Sequence, residues 1–206
     1  LGANAEKYPD VVRRAANEGH LIASHGYVHA NFANLTPDQI RDNLRRSQQI
    51  LQSLTGKRTT LFRPPYAAIN SRAVETIAAE GYKIVLWNVD SLDWKSIPKA
   101  TVLANVLPAT TSGAIILQHS AGGPDEDLSG TVQALPSIIT TLRNRGYQLV
   151  TVDRLLELGS NSVTNWYTVR PGDTFYTIAQ SHGMTVRNLM ELNPNVDPNY
   201  LYVGQR

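Results

Sequence analysis

Three stretches of the chain share one punctuation: "AANEGHLIAS", "AAEGYKIVLW" and "RNRGYQLVTV". Each closes a helix-like segment on a glycine (Gly19, Gly81 or Gly146) and turns at once into a β-branched or apolar run. Glycine suits the left-handed position just past a helix end, and the run that follows reads as a buried strand. Helix then strand, repeated, predicts an α/β fold built on parallel strands. "TTLFR" and "AIILQH" read as further short buried strands. "TPDQIRDNLRRSQQILQSLTG" reads as a helix with Thr36 as N-cap, Pro37 at its first position and Gly56 past its end. Ile40, Leu44, Ile50, Leu51 and Leu54 mark its apolar face.

After "DRLLELG" the texture changes. Residues 159–165, "GSNSVTN", are small and polar and read as a linker. Beyond it, residues 166–206 form a compact pattern of short strand, Gly-Asp turn, two helices and an Asn-Pro turn. A chain of 206 residues has room for one substantial core, here 1–158, and one such small module. Net charge is +2 without a basic or acidic block, which argues against a nucleic-acid partner. An apolar run long enough to span a membrane is lacking, and a signal sequence is not visible in this stretch. With no cysteine in the sequence, any metal is left to His, Asp and Glu.

In parallel α/β folds ligands gather at the carboxyl ends of strands, so the polar residues there carry the search. "SHGYVHAN" offers His25 and His29, whose rings can converge on one ion or belong to a plain polar loop. "FRPPY" offers Arg63, able to hold a carboxylate, and a proline-stiffened turn that aims the Tyr66 backbone N–H; a surface turn is the alternative. "WNVDSLDW" brings Asp90, Asp93 and Trp94 together, suited to orienting a histidine, to lining a sugar groove, or to a solvated turn. "IILQHS" ends on Leu117 and His119, and a histidine beside an aspartate can act as a general acid. Together these place His, His, Arg, Asp, Trp and His at four successive strand ends of one sheet.

These motifs resemble the polysaccharide deacetylases of carbohydrate esterase family 4, the NodB-homology group, over roughly residues 1–157. "SHGYVH" is similar to the family's His-x-x-x-His, "RPPY" to its Arg-x-Pro-Tyr, "DSLDW" to its Asp-x-x-Asp-Trp and "LQH" to its Leu-x-His. "TVQALPSIITTLRNRGYQLVTVDRLLE" reads like its closing helix and strand. The resemblance implies a distorted (β/α) barrel and a divalent metal, expected to be zinc, on His25 and His29. It further implies that Arg63 holds the catalytic base, that the Tyr66 N–H serves the oxyanion, and that Asp93 orients His119 as the proton donor. Trp94, Leu117 and Pro65 would line the substrate groove.

Two departures stand out. Gly26 occupies a position usually held by Ser or Thr, which is expected to loosen the metal loop. The family's Thr-Phe-Asp-Asp-Gly-Pro-like stretch, source of the base aspartate and third ligand, is absent from these residues, and "LGANAEKYPD" resembles the region just after the second strand. The expectation is a barrel lacking its first strand or strands, a chain cut short at both ends, and weak catalysis by these residues alone.

Residues 166–206 resemble a LysM domain, a small βααβ fold. That likeness implies binding of GlcNAc-containing glycans through Gly172, Asp173, Thr174 and Phe175 and through Asn193, Pro194 and Leu201. The combined expectation is a monomeric enzyme of the cell wall or extracellular space that N-deacetylates a GlcNAc polymer, foremost peptidoglycan. The alternatives are a non-catalytic glycan-binding wall protein, a chitin deacetylase, or an acetylxylan esterase.

Overall fold

The computed structural model describes residues 1–123, 125–163, 167–182, 184–193, 196–198 and 200–205; for 158–163, 188 and 191 only the backbone is described. The chain divides into two compact units, Leu1–Leu155 and Leu156–Arg206.

The first unit opens with α1 (Gly2–Lys7) and α2 (Pro9–Asn17), the latter closed by Gly19 at φ +87°. Helix α3 (Pro37–Thr55) follows the rules written into its ends. Thr36 and Gln39 form a reciprocal capping box, and Gly56 ends it at φ +70°. Next come β1 (Leu61–Phe62), α4 (Ser71–Ala79) and β2 (Lys83–Ile84). Strand β1 pairs in parallel with β2, and Ser24 adds a parallel bridge to Phe62 on the other side. Helices α3 and α4 cover this sheet with a core of Phe32, Ile40, Leu44, Phe62, Ile77 and Tyr82.

The second half of the unit repeats the plan. Strand β3 (Val89–Asp90) leads to α5 (Lys99–Val106), then β4 (Ile116–Leu117) and α6 (Ser129–Asn144). β3 and β4 pair in parallel, packed on Val102, Val106, Ala134, Ile138 and Leu142. The α/β class and the parallel pairing are as expected, but the ladders make two two-stranded sheets and not one continuous sheet. The physical reason lies at Asn88. Its backbone N–H and side-chain Oδ1 both engage Ile115, which commits the chain to the second sheet directly after Ile84 leaves the first.

"QLVTV" is not a strand. Residues 148–150 make no backbone hydrogen bond to another segment among the described residues, and a strand without a ladder partner has nothing to hold it extended. Leu149 and Val150 instead stay 45% and 41% exposed and, with Ala114, Ile116 and Tyr147, line a groove of about 260 Å³. The expected linker also reads differently: α7 (Val152–Val163) carries the helix through most of 159–165. Small polar residues there do not stop a helix already started by "DRLLEL".

In the second unit α8 (Phe175–Ser181) and α9 (Val186–Leu192) follow a turn. Val169 exchanges backbone bonds with Gln205 (2.9 Å) and Gly204 (2.8 Å), so the two end segments lie side by side as a βααβ plan requires. Among its described residues, Val169, Phe175, Ile178 and Ala179 are the buried apolar ones. Among the described residues, no helix is long and apolar enough to cross a membrane.

Candidate active site

The bridge at Ser24 sets the first part of the site. Ser24 N–H donates to the Leu61 carbonyl (2.9 Å) and Arg63 N–H donates to the Ser24 carbonyl (3.0 Å), so His25 emerges beside Arg63. His25 Nδ1 is bonded to the Arg63 carbonyl. A carbonyl only accepts, so Nδ1 carries the hydrogen and Nε2 keeps a free lone pair, the tautomer found in metal-ligating imidazoles. The His29 ring lies 5.1 Å from that of His25 and 4.4 Å from that of Tyr66, edge-on in both cases.

The loop joining the histidines is tied down. Gly26 N–H donates to Ser24 Oγ (3.2 Å), and Tyr27 N–H donates to Asn43 Oδ1 (2.6 Å). Ser24 Oγ is in turn bonded to Ser47 Oγ at 3.1 Å. Gly26 sits at φ +83°, and a Cβ there would lie 2.6 Å from Asn43 Oδ1. The glycine that departs from the family pattern therefore does not loosen the loop: it makes room for Asn43, which holds it. Sequence reading passed over Asn43 and Ser47. The available signal was their position on the apolar face of α3, where buried polar residues (Asn43, Ser47 and Gln48) interrupt the hydrophobic stripe.

Burial, then the Arg63 charge, holds His25 down to about 3, against the opposing pull of the bond to the Arg63 carbonyl. His29 is lowered as well, by burial and then by Arg63 and His119. Both imidazoles are thus neutral at neutral pH, the form that binds metal. The donor set suits a divalent ion, although no third His, Asp or Glu joins the pair among the described residues. A proton competes with metal only below the folded-state pKa, so acidification should cost this pair little. Two ordinary imidazoles would together lose about 10³-fold in affinity between pH 7 and 5. The expected loss here is below about 30-fold, the share of one ordinary imidazole. Calorimetric titration with zinc across that range checks it, and a loss near the larger figure would contradict it.

The second part of the site is a strained turn after β3. Asp90 Oδ1 accepts the Leu92 N–H (2.9 Å), and Leu92 and Ser96 both adopt left-handed backbone, at φ +55° and +56°. Between them Asp93 is buried, 1% exposed. Its Oδ1 accepts from His119 Nδ1 at 2.7 Å, and its Oδ2 accepts from the His119 backbone N–H and the Thr131 hydroxyl, each at 2.7 Å. Burial works to raise the Asp93 pKa, but bonds from the His119 ring, Thr131 and the His119 backbone, with the imidazole charge, hold it below the ordinary carboxylate value. With Nδ1 engaged, the His119 Nε2 is left to carry a transferable proton.

Tyr66 and Ala67 are the other left-handed non-glycine residues among the described residues, at φ +58° and +52°. Such backbone costs roughly 1–3 kcal/mol per residue, and all four cases flank candidate site residues. Pro64 and Pro65 enforce the turn, and the Tyr66 N–H has no acceptor among the described residues. Tyr66 itself is 69% exposed. The Arg63 guanidinium lies 6.0 Å from the Trp87 ring; its charge lowers His25 and His29, while burial lowers Arg63 itself against the opposing charge of Asp93. Trp94 is exposed, with Lys95 over its ring at 5.1 Å. Pro65 and Leu117, expected to line the groove, are both buried.

In the second unit the expected glycan residues divide. Gly172 turns the chain at φ +87°. Asp173 Oδ2 accepts from Tyr167 Oη and from the Arg170 N–H, both at 2.7 Å, which fixes the turn. Thr174 caps α8. Phe175 was expected to face a ligand; it is 6% exposed because the unit is too small to form a core without it. Asn193 donates its side-chain amide to the Leu189 carbonyl (2.9 Å) at the end of α9, and Leu201 is half-buried. Pro194 lies outside the described residues. Tyr176, Tyr200 and Tyr202, unremarked in the sequence, are 61%, 68% and 72% exposed.

The family model for polysaccharide deacetylases matches residues 1–85, and that for the LysM domain matches residues 167–206. A peptidoglycan-N-acetylglucosamine deacetylase of Bacillus cereus is 39% identical over 157 residues, 76% of this chain and 56% of that protein. The crystal structure of the Bc1960 peptidoglycan N-acetylglucosamine deacetylase superposes with a TM-score of 0.72 at 39% identity, covering 75% of this chain and 72% of that one. This chain belongs to the polysaccharide deacetylase family. It also matches BA3943, described as a CE4 family pseudoenzyme from Bacillus anthracis, at 26% identity and a TM-score of 0.69, over 76% of this chain and 53% of that one. The chain thus spans little more than half the length of the B. cereus relative.

Proposed function

We propose that the chain serves metal-dependent N-deacetylation of a GlcNAc-containing cell-wall polysaccharide, foremost peptidoglycan, outside the cell. The observation that carries this reading is the geometry of the His25–His29 pair, with rings 5.1 Å apart and His25 bonded to the Arg63 carbonyl, together with His119 held by Asp93 at 2.7 Å. His25 and His29 would hold the divalent metal, expected to be zinc, which when bound would supply Lewis-acid polarisation of the acetamide carbonyl and lower the pKa of water. Arg63 orients the site's negative groups, and the Tyr66 N–H donates to the oxygen on which charge develops. Asp93 holds the His119 ring, whose Nε2 gives its proton to the departing amine. Trp94 flanks the acetyl group. The activity named for the B. cereus relative supports the same substrate class.

Amine release from acetylated GlcNAc oligomers, with added zinc, tests this reading for the 206-residue chain and for a form extended upstream of Leu1. Release by either form that disappears in H25A supports it. No release by both would favour a second reading, a wall protein that holds glycan without cleaving it. That second reading draws on the pair of histidines without a third ligand among the described residues, and on the likeness to a pseudoenzyme.

The LysM domain then anchors the protein on insoluble substrate, raising local concentration. The full chain should be retained on peptidoglycan at least about tenfold better than residues 1–158, a threshold set below the roughly 10²–10⁴ that linking two binding modules can give. Equal retention of the two would remove the anchoring role.

A further inference from the structure

Thr131 lies 38 positions from Asp93 in the sequence, yet its hydroxyl donates to Asp93 Oδ2 at 2.7 Å inside the fold. We propose that Thr131, carried by the first turn of α6, is a positioning residue that locks the Asp93 carboxylate in the orientation from which it grips His119. This rests on the reading of Asp93 and His119 as the working pair.

Three observations carry it. First, the Asp93 side chain is fully buried, 0% exposed, so water does not solvate the oxygen that Thr131 serves. Second, the carboxylate has two separate tasks, the His119 ring on Oδ1 and the His119 backbone N–H on Oδ2. Rotation of the carboxyl about its bond to Cβ would break both at once. Those two bonds resist the rotation but come from His119, the residue being gripped; Thr131 adds a donor from a separate element, which holds the carboxylate even when the ring moves.

Third, the approach of α6 is built for the contact. Thr131 is 7% exposed. Beside it, a Cβ on Gly130 would lie 2.1 Å from the Ile97 carbonyl oxygen. Any side chain at 130 would push the first turn of α6 away from the Asp93 turn and draw the threonine hydroxyl out of reach. The end of α6 that faces the carboxylate is also its N-terminus, where the helix dipole favours negative charge. Nothing in "LSGTVQALP" announces this role, because a threonine in a first helical turn is ordinary.

The test uses the full 206-residue chain and needs no substrate. The His119 Nδ1–H, held between ring and buried carboxylate, should give a downfield, exchange-protected proton signal, assigned by its loss in H119N. T131V keeps the shape of threonine and deletes the donor; T131S keeps the donor. We expect Nδ1–H exchange with water to speed up about tenfold or more in T131V, the scale of one lost buried hydrogen bond, and to return towards wild type in T131S. G130A, with the hydroxyl present but displaced, should behave like T131V. An unchanged exchange rate in T131V and G130A would overturn the proposal, as would absence of the protected proton from the wild type. These outcomes are independent of amine release, so failure of the clamp and failure of the proposed activity are read separately.

Discussion

Replacing His119 with alanine should lower amine release by roughly 10²–10⁴-fold, the contribution of a well-placed general acid. The expectation follows from the placement of its two nitrogens. Nδ1 is committed to Asp93 Oδ1 at 2.7 Å, which leaves Nε2 as the atom that can hand a proton to the leaving amine. Without it the amine would have to depart as an anion or take its proton from water. Zinc affinity should stay within about threefold of wild type, because the candidate metal pair is His25 and His29 and not His119; one pKa unit's worth of coupling would already be tenfold. The measurement is kcat for amine release, on the form of the protein that turns over, beside calorimetric zinc titration. Loss of zinc binding in H119A would reassign that histidine to the metal. Retained activity would give the proton transfer to another group.

The second large effect concerns the platform under the site. Phe62→Ala should destabilise the first unit by about 3–5 kcal/mol, the range for emptying a buried aromatic position. Phe62 is 0% exposed, with its ring 4.9 Å from Phe32 and 6.2 Å from Tyr82. Phe62 is also the residue on which the Ser24 bridge forms, so the cavity opens directly beneath the strand end that delivers His25 and Arg63. A domain with roughly 5–15 kcal/mol of total stability would lose a large share of it. Urea unfolding followed by tryptophan fluorescence measures the change, since Trp87 and Trp94 both report on this unit. A cost below about 1 kcal/mol would mean the aromatic cluster is not the core the packing indicates. Zinc affinity measured in the folded fraction should also fall, because the loop bearing His25 and His29 leans on the same cluster.

Much of this protein was legible in its sequence because the signals are local. A capping box at Thr36 and Gln39, a left-handed glycine at 56, and the glycines at 19, 81 and 146 act within a turn or two of chain. Their conformations therefore follow from the residues themselves. The same holds for the short motifs of histidines, arginine, aspartate and tryptophan, which resemble those of the family to which the chain belongs.

What the sequence did not decide depends on contacts between distant segments. Whether residues 148–150 become a strand depends on a ladder partner, not on their β-branched character, and among the described residues no partner is made. Residues 159–163 continue a helix although their composition suggests a linker. Phe175 and Pro65 have the chemistry of ligand contacts and the burial of core residues, and only packing separates the two. The most consequential cases are polar. Asn43 reaches across 16 positions to hold the histidine loop, His25 across 38 to the Arg63 carbonyl, and Thr131 across 38 to Asp93. A buried hydrogen bond needs its partner within about 3 Å, and only the pairing of Ser24 with Phe62 and the packing of α3 and α6 bring these groups that close. The sequence by itself determined which chemical groups are present and which local turns carry them; the tertiary structure decided which of those groups hold one another in place.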